Sequence, residues 1–375
     1  YLSQLGFNVE FGKADNFQDD LDTLITRLSD FNTKLDNGGY GTDANAAYND
    51  AKGIQDEFNT ALEGFGEAGR LKTSFSASVP GMPVLFELPK LPGVLSVDAS
   101  VGFVSLAAFE DQPFTGLPDD PTGLTSPNDL TDFATDSQVA VRGGTLTQFG
   151  LGYSQPISAI KNIGPMEGEL VVGAKANLYL ASLTSVKAKI DRSDDKEVSD
   201  LIEDGLDKSK DSTSFGLDVG AVWVAKNYQA GLAVKNLIAP EFDAYEKDEV
   251  TGASGTTTIS MDTQATVDGA VFIKDRMFML ATSADLNKVE DLVGDEVQML
   301  HVSGTFFPSN FLIPTLRAGY QKNLAGEELS ALNFGAGLFR GMANLDVTYG
   351  LETTEVDGSS VARQLGVQLS FEETF

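Results

Sequence analysis

The sequence predicts an all-β protein, a 14-stranded antiparallel transmembrane β-barrel with an inserted extracellular α-helical hairpin. Three observations predict this fold. Apolar and polar residues alternate in fourteen segments, and the connections between the segments alternate between short and long. The third is that the sequence has no run of about 18 apolar residues that could form a transmembrane helix.

The closing segment shows the alternation most clearly. Leu365, Val367 and Leu369 fall on one face of an extended strand, and Gln364 and Gln368 fall on the other. Most of the fourteen segments reach the ~9–11 residues that a tilted membrane strand needs. We place them near 4–12, 70–80, 94–108, 137–156, 168–187, 213–225, 228–238, 257–273, 276–286, 296–307, 311–322, 331–340, 343–353 and 361–375.

The lengths of the connections support the same fold independently. Outer-membrane barrels have short periplasmic turns and longer extracellular loops. The short links are 226–227, 274–275, 308–310 and 341–342. The long links are 111–136, 188–212, 239–256, 287–295, 323–330 and 354–360. The links 81–93 and 157–167 are longer than periplasmic turns usually are.

A helical insertion interrupts the β pattern after the first strand. Apolar residues recur at helical spacing in 15–36 and in 44–66, which predicts a helical hairpin over 13–69 within a single barrel domain, 1–375. The topology places this hairpin outside the cell. Its apolar stripe is expected to pack against the other helix, the barrel mouth or another protein. A second short helix is expected at 194–206.

Composition excludes several classes of protein. Lys and Arg number 26 against 55 Asp and Glu, giving a net charge of −29, so nucleic acid is not expected as a partner. A hydrophobic content of 42% is too high for a disordered acidic chain. There is no cysteine, and therefore no disulfide framework. The numbering is expected to follow removal of an N-terminal export segment.

The polar faces of the strands carry charges of both signs. Because a charged side chain facing lipid costs roughly 2–4 kcal/mol for Lys or Arg at the midplane, these residues are expected to face the lumen. They form either a network of ion pairs that fills a narrow interior or a polar path that selects solutes. The candidates are Asp98, Arg142, Lys175, Asp218, Lys235, Asp262, Asp268, His301, Arg317, Asp346 and Arg363, with Glu10, Lys72 and Glu372 on the same faces.

Enzymatic and metal chemistry have little support. The sole histidine, His301, has Ser303 on the same strand face, but residues two apart are about 7 Å apart, too far for a direct hydrogen bond. No catalytic residue, metal site or cofactor is predicted. The acidic stretches 191–197 and 204–211 lack the spacing of a calcium loop. They are interpreted as solvated charge, with divalent cations that bridge to lipopolysaccharide phosphates as the alternative.

Several segments resemble a known family. They are the strand pair 215–238, the segment 316–326 and the closing strand, which ends on Phe375 as bacterial outer-membrane barrels do. In the order of its segments and in their residue patterns, the chain resembles the TraF-like proteins of plasmid conjugal transfer. More distantly it is similar to the FadL-type long-chain fatty acid transporters, which are fourteen-stranded barrels. Members of both groups usually carry an N-terminal Asn-Pro-Ala segment, which plugs the transporter barrels, and the printed sequence lacks that motif.

Two functions remain open from the sequence. The first is uptake or passage of a small solute, a hydrophobic one included, across the bacterial outer membrane. The alternative is a structural or docking subunit of a larger envelope assembly, such as conjugation machinery, with a protein partner at the helical hairpin. Outer-membrane lipid and lipopolysaccharide are expected partners in both cases. A soluble β-sandwich with acidic loops is the remaining alternative for the fold.

Overall fold

The fold is described from a computed structural model of the chain. The structure describes residues 4–12, 17–65, 69–78, 83–87, 92–110, 112, 114–130, 133–163, 166–189, 208–248, 251–339, 342–356 and 359–371. The helix expected at 194–206, the residues Glu372 and Phe375, and most of the two acidic stretches lie outside these ranges.

Fourteen antiparallel strands close into a barrel, as the alternating pattern predicts. Each strand pairs with its neighbours along the chain, and β1 pairs both with β2 and with the last strand, which closes the sheet. The strands are β1 Gln4–Phe11, β2 Arg70–Ser78, β3 Val94–Glu110, β4 Gln138–Ile163, β5 Met166–Lys189, β6 Lys210–Val224, β7 Tyr228–Ile238, β8 Gln264–Ile273, β9 Phe278–Asp285, β10 Met299–Phe306, β11 Thr315–Asn323, β12 Ser330–Leu338, β13 Ala343–Gly350 and β14 Gln364–Phe371.

The two ends of the barrel differ. The long connections leave one end, here called the hairpin end, and the short connections leave the other, here called the turn end. The exception is the long connection between β2 and β3, which contains the short strand Val84–Glu87 and leaves the turn end. The link expected over 157–167 is shorter than predicted, because β4 and β5 continue to Ile163 and Met166. The strand predicted over 257–273 is divided: Ser254–Ser260 pairs with Glu241–Asp248 in a separate β-hairpin, and β8 begins only at Gln264.

The outer wall is apolar around its whole circumference. Each of the fourteen strands presents at least one large apolar side chain that is exposed, as Phe7 does in β1 and Leu369 in β14. A monomeric soluble protein rarely exposes a continuous apolar surface of this size. The closed barrel also excludes the two-sheet sandwich considered as an alternative. Within the described residues no helix is both long enough and apolar enough to cross a membrane.

Two helices, α1 Phe17–Asp36 and α2 Ala44–Phe65, lie between β1 and β2. Their apolar stripes are buried against each other and against the β3–β4 connection. Phe31 of α1 contacts Phe133 edge-on at 5.4 Å between ring centroids, and Phe58 of α2 contacts Phe114 edge-on at 4.9 Å. Phe114 and Phe133 stack on each other at 4.9 Å. The hairpin stripe is therefore covered by the chain's own loop.

Candidate functional site in the barrel lumen

A cavity of about 780 Å³ lies inside one half of the barrel. Its wall is built from inward-facing residues of β1, β2 and β10–β14, and the connection 286–298 contributes Asp295, Glu296 and Val297. The cavity reaches from this connection to Gln4 and Ser370 near the turn end. Its size falls within the roughly 300–1,000 Å³ of small-molecule sites.

The connection 286–298, here called the latch loop, joins β9 to β10 and folds into a compact hairpin. Val289–Glu290 pairs with Glu296–Val297, and the tip between them is organised by one carboxylate. Asp291 Oδ1 accepts hydrogen bonds from the backbone N–H groups of Val293 at 3.0 Å and Asp295 at 2.9 Å. The side chain of Val293 is fully buried. The loop thus has a defined shape of its own.

Ion pairs fasten the latch loop to the far wall of the barrel. Lys72 of β2 donates to Asp291 at 2.5 Å and to Asp295 at 2.6 Å, and Arg70 of the same strand also pairs with Asp295. Since β2 is about half a turn of the barrel away from β9 and β10, the loop crosses the lumen to reach these cations. On β4, Arg142 donates to the backbone carbonyl of Val293 at 3.4 Å.

The electrostatics of this contact are favourable. Burial raises the pKa of the Asp295 carboxyl, but the hydrogen bond from Arg70 and the charge of Lys72 outweigh it and hold the pKa below its usual value. Glu10 and Glu327 complete the cluster, at 3.3 Å and 3.9 Å from Arg70. These side chains are mostly shielded from solvent, so their interaction is screened less by salt than a surface pair would be.

An apolar cluster fills the other half of the mouth. Phe242 and Ala244 belong to the β-hairpin Glu241–Ser260, whose first arm lies parallel to β5, and both side chains are fully buried. They form one cluster with Leu183 of β5, and Leu292 of the latch loop packs against this cluster. The latch loop therefore has one apolar and one ionic anchor.

Two ion pairs span the lumen wall over glycine residues. Arg317 of β11 donates from Nε and Nη2 to the two carboxylate oxygens of Asp346 in β13, each at 2.9 Å. Lys175 of β5 donates to Asp98 of β3 at 2.8 Å. In each case one strand lies between the partners. Its residue at that level is Gly335 or Gly150, where a Cβ would collide with the pair.

Polar groups continue along β4 to β7. Asp218 of β6 accepts hydrogen bonds from the Asn177 side chain at 2.8 Å and from the Asn236 backbone at 2.9 Å. Gln148 donates to Asn177 at 2.9 Å, and Tyr179 donates to Asn236 at 3.2 Å over Gly216. This half of the wall is held together by internal hydrogen bonds.

The remaining sequence-predicted residues lie in varied places. His301 of β10 borders the cavity and is paired in register with Ser283 and Gln321. The carboxylate of Asp268 in β8 lies over Gly231 of β7. Lys235 is exposed beside a bulge in β7, where Asn236 takes a positive φ of 50° and is buried instead. These positions agree only partly with the prediction that all the candidate charged residues face the lumen.

Two candidates sit at the hairpin end. Asp262 precedes β8 and is exposed, because the expected long strand is divided there. Arg363 precedes β14 and is buried, with its guanidinium donating to the carbonyl of Phe11 at 3.0 Å and pairing with Glu327 at 2.5 Å. Arg363 therefore ties the two strands that close the barrel to the β11–β12 connection.

Sequence reasoning missed several acidic residues that matter at the mouth. Glu110 accepts from Arg142 at 3.1 Å and from Lys187 at 2.7 Å, and it lies two residues beyond the predicted segment 94–108. The alternating pattern assigns Asp291 and Asp295 only to a loop. A signal existed: this loop is acidic, and its excess charge could have been matched to Lys72 and Arg70. Among the described residues, no group of three or more His, Cys, Asp or Glu could hold a metal ion.

Comparisons with known proteins give weak structural likenesses and one family match. A search of curated proteins gives no match. Solved structures with similar folds include the TodX deltaS2S3 mutant monoaromatic hydrocarbon channel, with 11% identity and a TM-score of 0.45 over 99% of this chain and 90% of that one. The Ralstonia pickettii toluene transporter TbuX has 10% identity and a TM-score of 0.38, covering 81% of this chain and 90% of that one. The Pseudomonas putida toluene transporter TodX has 14% identity and a TM-score of 0.35, covering 80% of each chain.

The family match covers most of the chain. It includes the helical hairpin and the first nine strands, and it agrees with the resemblance noted in the strand pair 215–238. Residues 2–285 match the model of the family described as F plasmid transfer operon, TraF, protein, and the chain belongs to that family.

Proposed function

We propose that this chain is an outer-membrane barrel that lets a small solute pass through its lumen, and that the latch loop closes the path. The observation that carries the proposal is the polar cavity of about 780 Å³ directly beneath a loop that is fastened across the lumen by ion pairs.

The outer surface supports a membrane location. Exposed apolar side chains on all fourteen strands match the lipid-facing band of bacterial barrels. Aromatic residues at the turn end fit an interfacial girdle, and two pairs of them are in contact, Phe278 with Phe306 at 5.2 Å and Phe311 with Phe339 at 5.5 Å. With the usual orientation of such barrels, the turn end faces the periplasm and the hairpin end faces outside.

The latch suggests how the path opens. The loop is attached to the far wall by side chains of Lys72, Arg70 and Arg142, whereas its own hairpin is held by internal hydrogen bonds. Breaking the cross-lumen contacts, together with the packing of Leu292 on the apolar cluster, would therefore release the loop as a unit without unfolding it. A solute entering from the hairpin end would then reach the cavity.

A reversible crosslink tests this mechanism directly. The chain has no cysteine, so Lys72→Cys and Asp291→Cys can be joined by a short thiol-specific crosslinker that is cleaved by reductant. In planar bilayers, the crosslinked barrel should show little conductance, and reduction should raise conductance at least severalfold. The same molecule is thus measured closed and open.

The matched control is Lys52→Cys with Asp56→Cys, which replaces an exposed ion pair of 2.9 Å on α2, away from the lumen. Its crosslinking should leave conductance unchanged. If the Lys72/Asp291 barrel conducts equally when crosslinked and reduced, the latch loop is not the closure. If neither state conducts nor passes solute, passage through the lumen is wrong.

A docking role in an envelope assembly is the second candidate, and the family's description in terms of a plasmid transfer operon favours it. The packing argues against the hairpin stripe as the docking surface, because Phe31 and Phe58 are already buried against the chain's own loop. A barrel that stays closed in every state of the crosslink experiment would favour docking.

A further inference from the structure

We infer that the solute is a neutral, hydroxyl-rich molecule of saccharide size, recognised by unpaired carboxamides where the barrel closes. This inference rests on the proposed function and names its substrate class. The residues that carry it are Gln4 and Asn8 of β1 and Gln364 and Gln368 of β14, all of which line the cavity.

These four carboxamides are free to bind a ligand. None of them makes a side-chain hydrogen bond to any part of the chain that the structure describes, whereas Asn333, Asn344 and Asn323 on the neighbouring wall are engaged with Gln321, Arg317 and Glu296. They come together through register. Gln4 pairs with Ser370, Gly6 with Gln368, and Asn8 with Gly366, so the side chains alternate along one seam of the inner wall.

The carboxamide group matches a hydroxyl in its bonding. An amide offers two N–H donors and one carbonyl acceptor, and a hydroxyl both donates and accepts. A row of free amides can therefore satisfy a row of sugar hydroxyls without a net charge. Asn8 lies over Gly366, a position at which a Cβ would meet its carboxamide oxygen, so the glycine leaves this side chain room on the cavity wall.

The charged side chains that line the cavity are paired, either with one another or with residues beside it. Arg317 is paired with Asp346, Lys72 with Asp295, and Glu327 with Arg363, which lies outside the lining, all at 2.5 to 2.9 Å. Carboxylates outnumber cations in the lining, which disfavours anions, and a cation would have to compete with these pairs for its counter-charge. A neutral solute has no such cost.

The cavity offers a hydrocarbon few apolar side chains. The apolar cluster around Phe242 is packed in the other half of the mouth. Of the apolar residues at the upper border of the cavity, Leu329 is buried, and Val297 and Met299 are half-buried among polar neighbours. Amides left without partners by an apolar solute would each lose their bonds to water.

Solute-flux assays in liposomes test the inference. The reduced Lys72→Cys/Asp291→Cys barrel would be compared for sucrose, a singly charged sugar acid of similar size, and toluene. We expect sucrose to pass at least severalfold faster than the sugar acid. Adding Asn8→Leu and Gln368→Leu should lower sucrose flux roughly tenfold, as expected when hydrogen bonds to the solute are lost. Gln229→Leu, the same change on the inner wall of β7 outside the cavity lining, should have no effect.

Binding gives a readout independent of flux. Saturation-transfer NMR of sucrose with the detergent-solubilised barrel should show that sucrose contacts the protein. The Asn8→Leu/Gln368→Leu variant should lose this contact. The Asn8→Ser/Gln368→Ser variant should retain it in part. Heat-modifiable migration on gels checks that each variant is folded. Absence of sucrose contact, or faster flux of the sugar acid or toluene, overturns the substrate class while leaving solute passage intact. Failure of all three solutes to cross, with sucrose contact retained, overturns passage instead.

Discussion

Arg317 and Asp346 form a bidentate ion pair across an intervening strand, with both N–H···O distances at 2.9 Å. The pair exists because β12 contributes Gly335 at that level, so no side chain separates the guanidinium from the carboxylate. Lys175 and Asp98 repeat the arrangement over Gly150. Such pairs connect strands that share no backbone hydrogen bonds, and they stiffen the lumen wall without a residue that would narrow it.

Replacing Gly335 with alanine tests this arrangement. The new Cβ would fall on the Asp346 carboxylate and within 2.8 Å of Arg317 Nε, so the bidentate pair must separate. We expect a loss of about 1–3 kcal/mol in the free energy of unfolding, because the charges stay partly buried without their partners. Urea unfolding in the presence of lipid vesicles measures it. Gly269→Ala, where the nearest atom is an ordinary 3.7 Å away, is the matched control and should change little.

Neutralising Lys72 should loosen the latch loop. Lys72→Met removes contacts of 2.5 Å and 2.6 Å to two carboxylates at once. We expect hydrogen exchange of the amides in 286–298 to accelerate roughly 10–100-fold, which corresponds to about 1–3 kcal/mol in local opening. Lys175→Met removes a cation that pairs with Asp98 on the same inner wall, away from the loop, and it should leave the loop unchanged. Equal acceleration of hydrogen exchange in both variants would contradict a specific role of Lys72 in holding the latch loop.

Acid should release the loop through Asp295. Because its folded pKa is lower than that of an unfolded aspartate, about 3.9, the ion pairs of Asp295 stabilise the fastened loop fully above that value, and this stabilisation is lost as the pH falls through the folded pKa. Conductance should therefore be flat between about pH 7 and 5 and should rise below about pH 4. Two cations surround Asp295, Arg70 and Lys72 of β2. Three further carboxylates belong to the same cluster: Glu10 of β1, Glu327 of the β11–β12 connection and Asp291 of the latch loop. Asp295→Asn isolates its contribution: it should conduct more at pH 7 and show a smaller acid step.

Sequence patterns predict the strands of this barrel better than the side-chain contacts inside its lumen. Leu365, Val367 and Leu369 alternate because lipid-facing and lumen-facing positions follow the pleat, so local order determines which side each residue takes. The latch depends on Lys72 and Asp295, which are 223 residues apart and meet only because the barrel closes. No local pattern encodes that meeting. The misplacement of Asp262 has the same origin, since the arm 254–260 alternates like a barrel strand but pairs with another partner.

Phe133 should be the residue that holds the helical hairpin on the barrel. It is 1% exposed, stacks on Phe114 and contacts Phe31 of α1 edge-on. Phe133→Ala would leave a cavity between the helices and the β3–β4 connection, at a local cost of about 3–5 kcal/mol. Because the fourteen strands do not depend on this contact, limited proteolysis should cut within 17–65 while the barrel keeps its heat-modifiable migration. Phe86→Ala, at a site that is 49% exposed near the turn end, should leave the hairpin resistant. If Phe133→Ala also left it resistant, the helices would be held in place chiefly by their contact with each other.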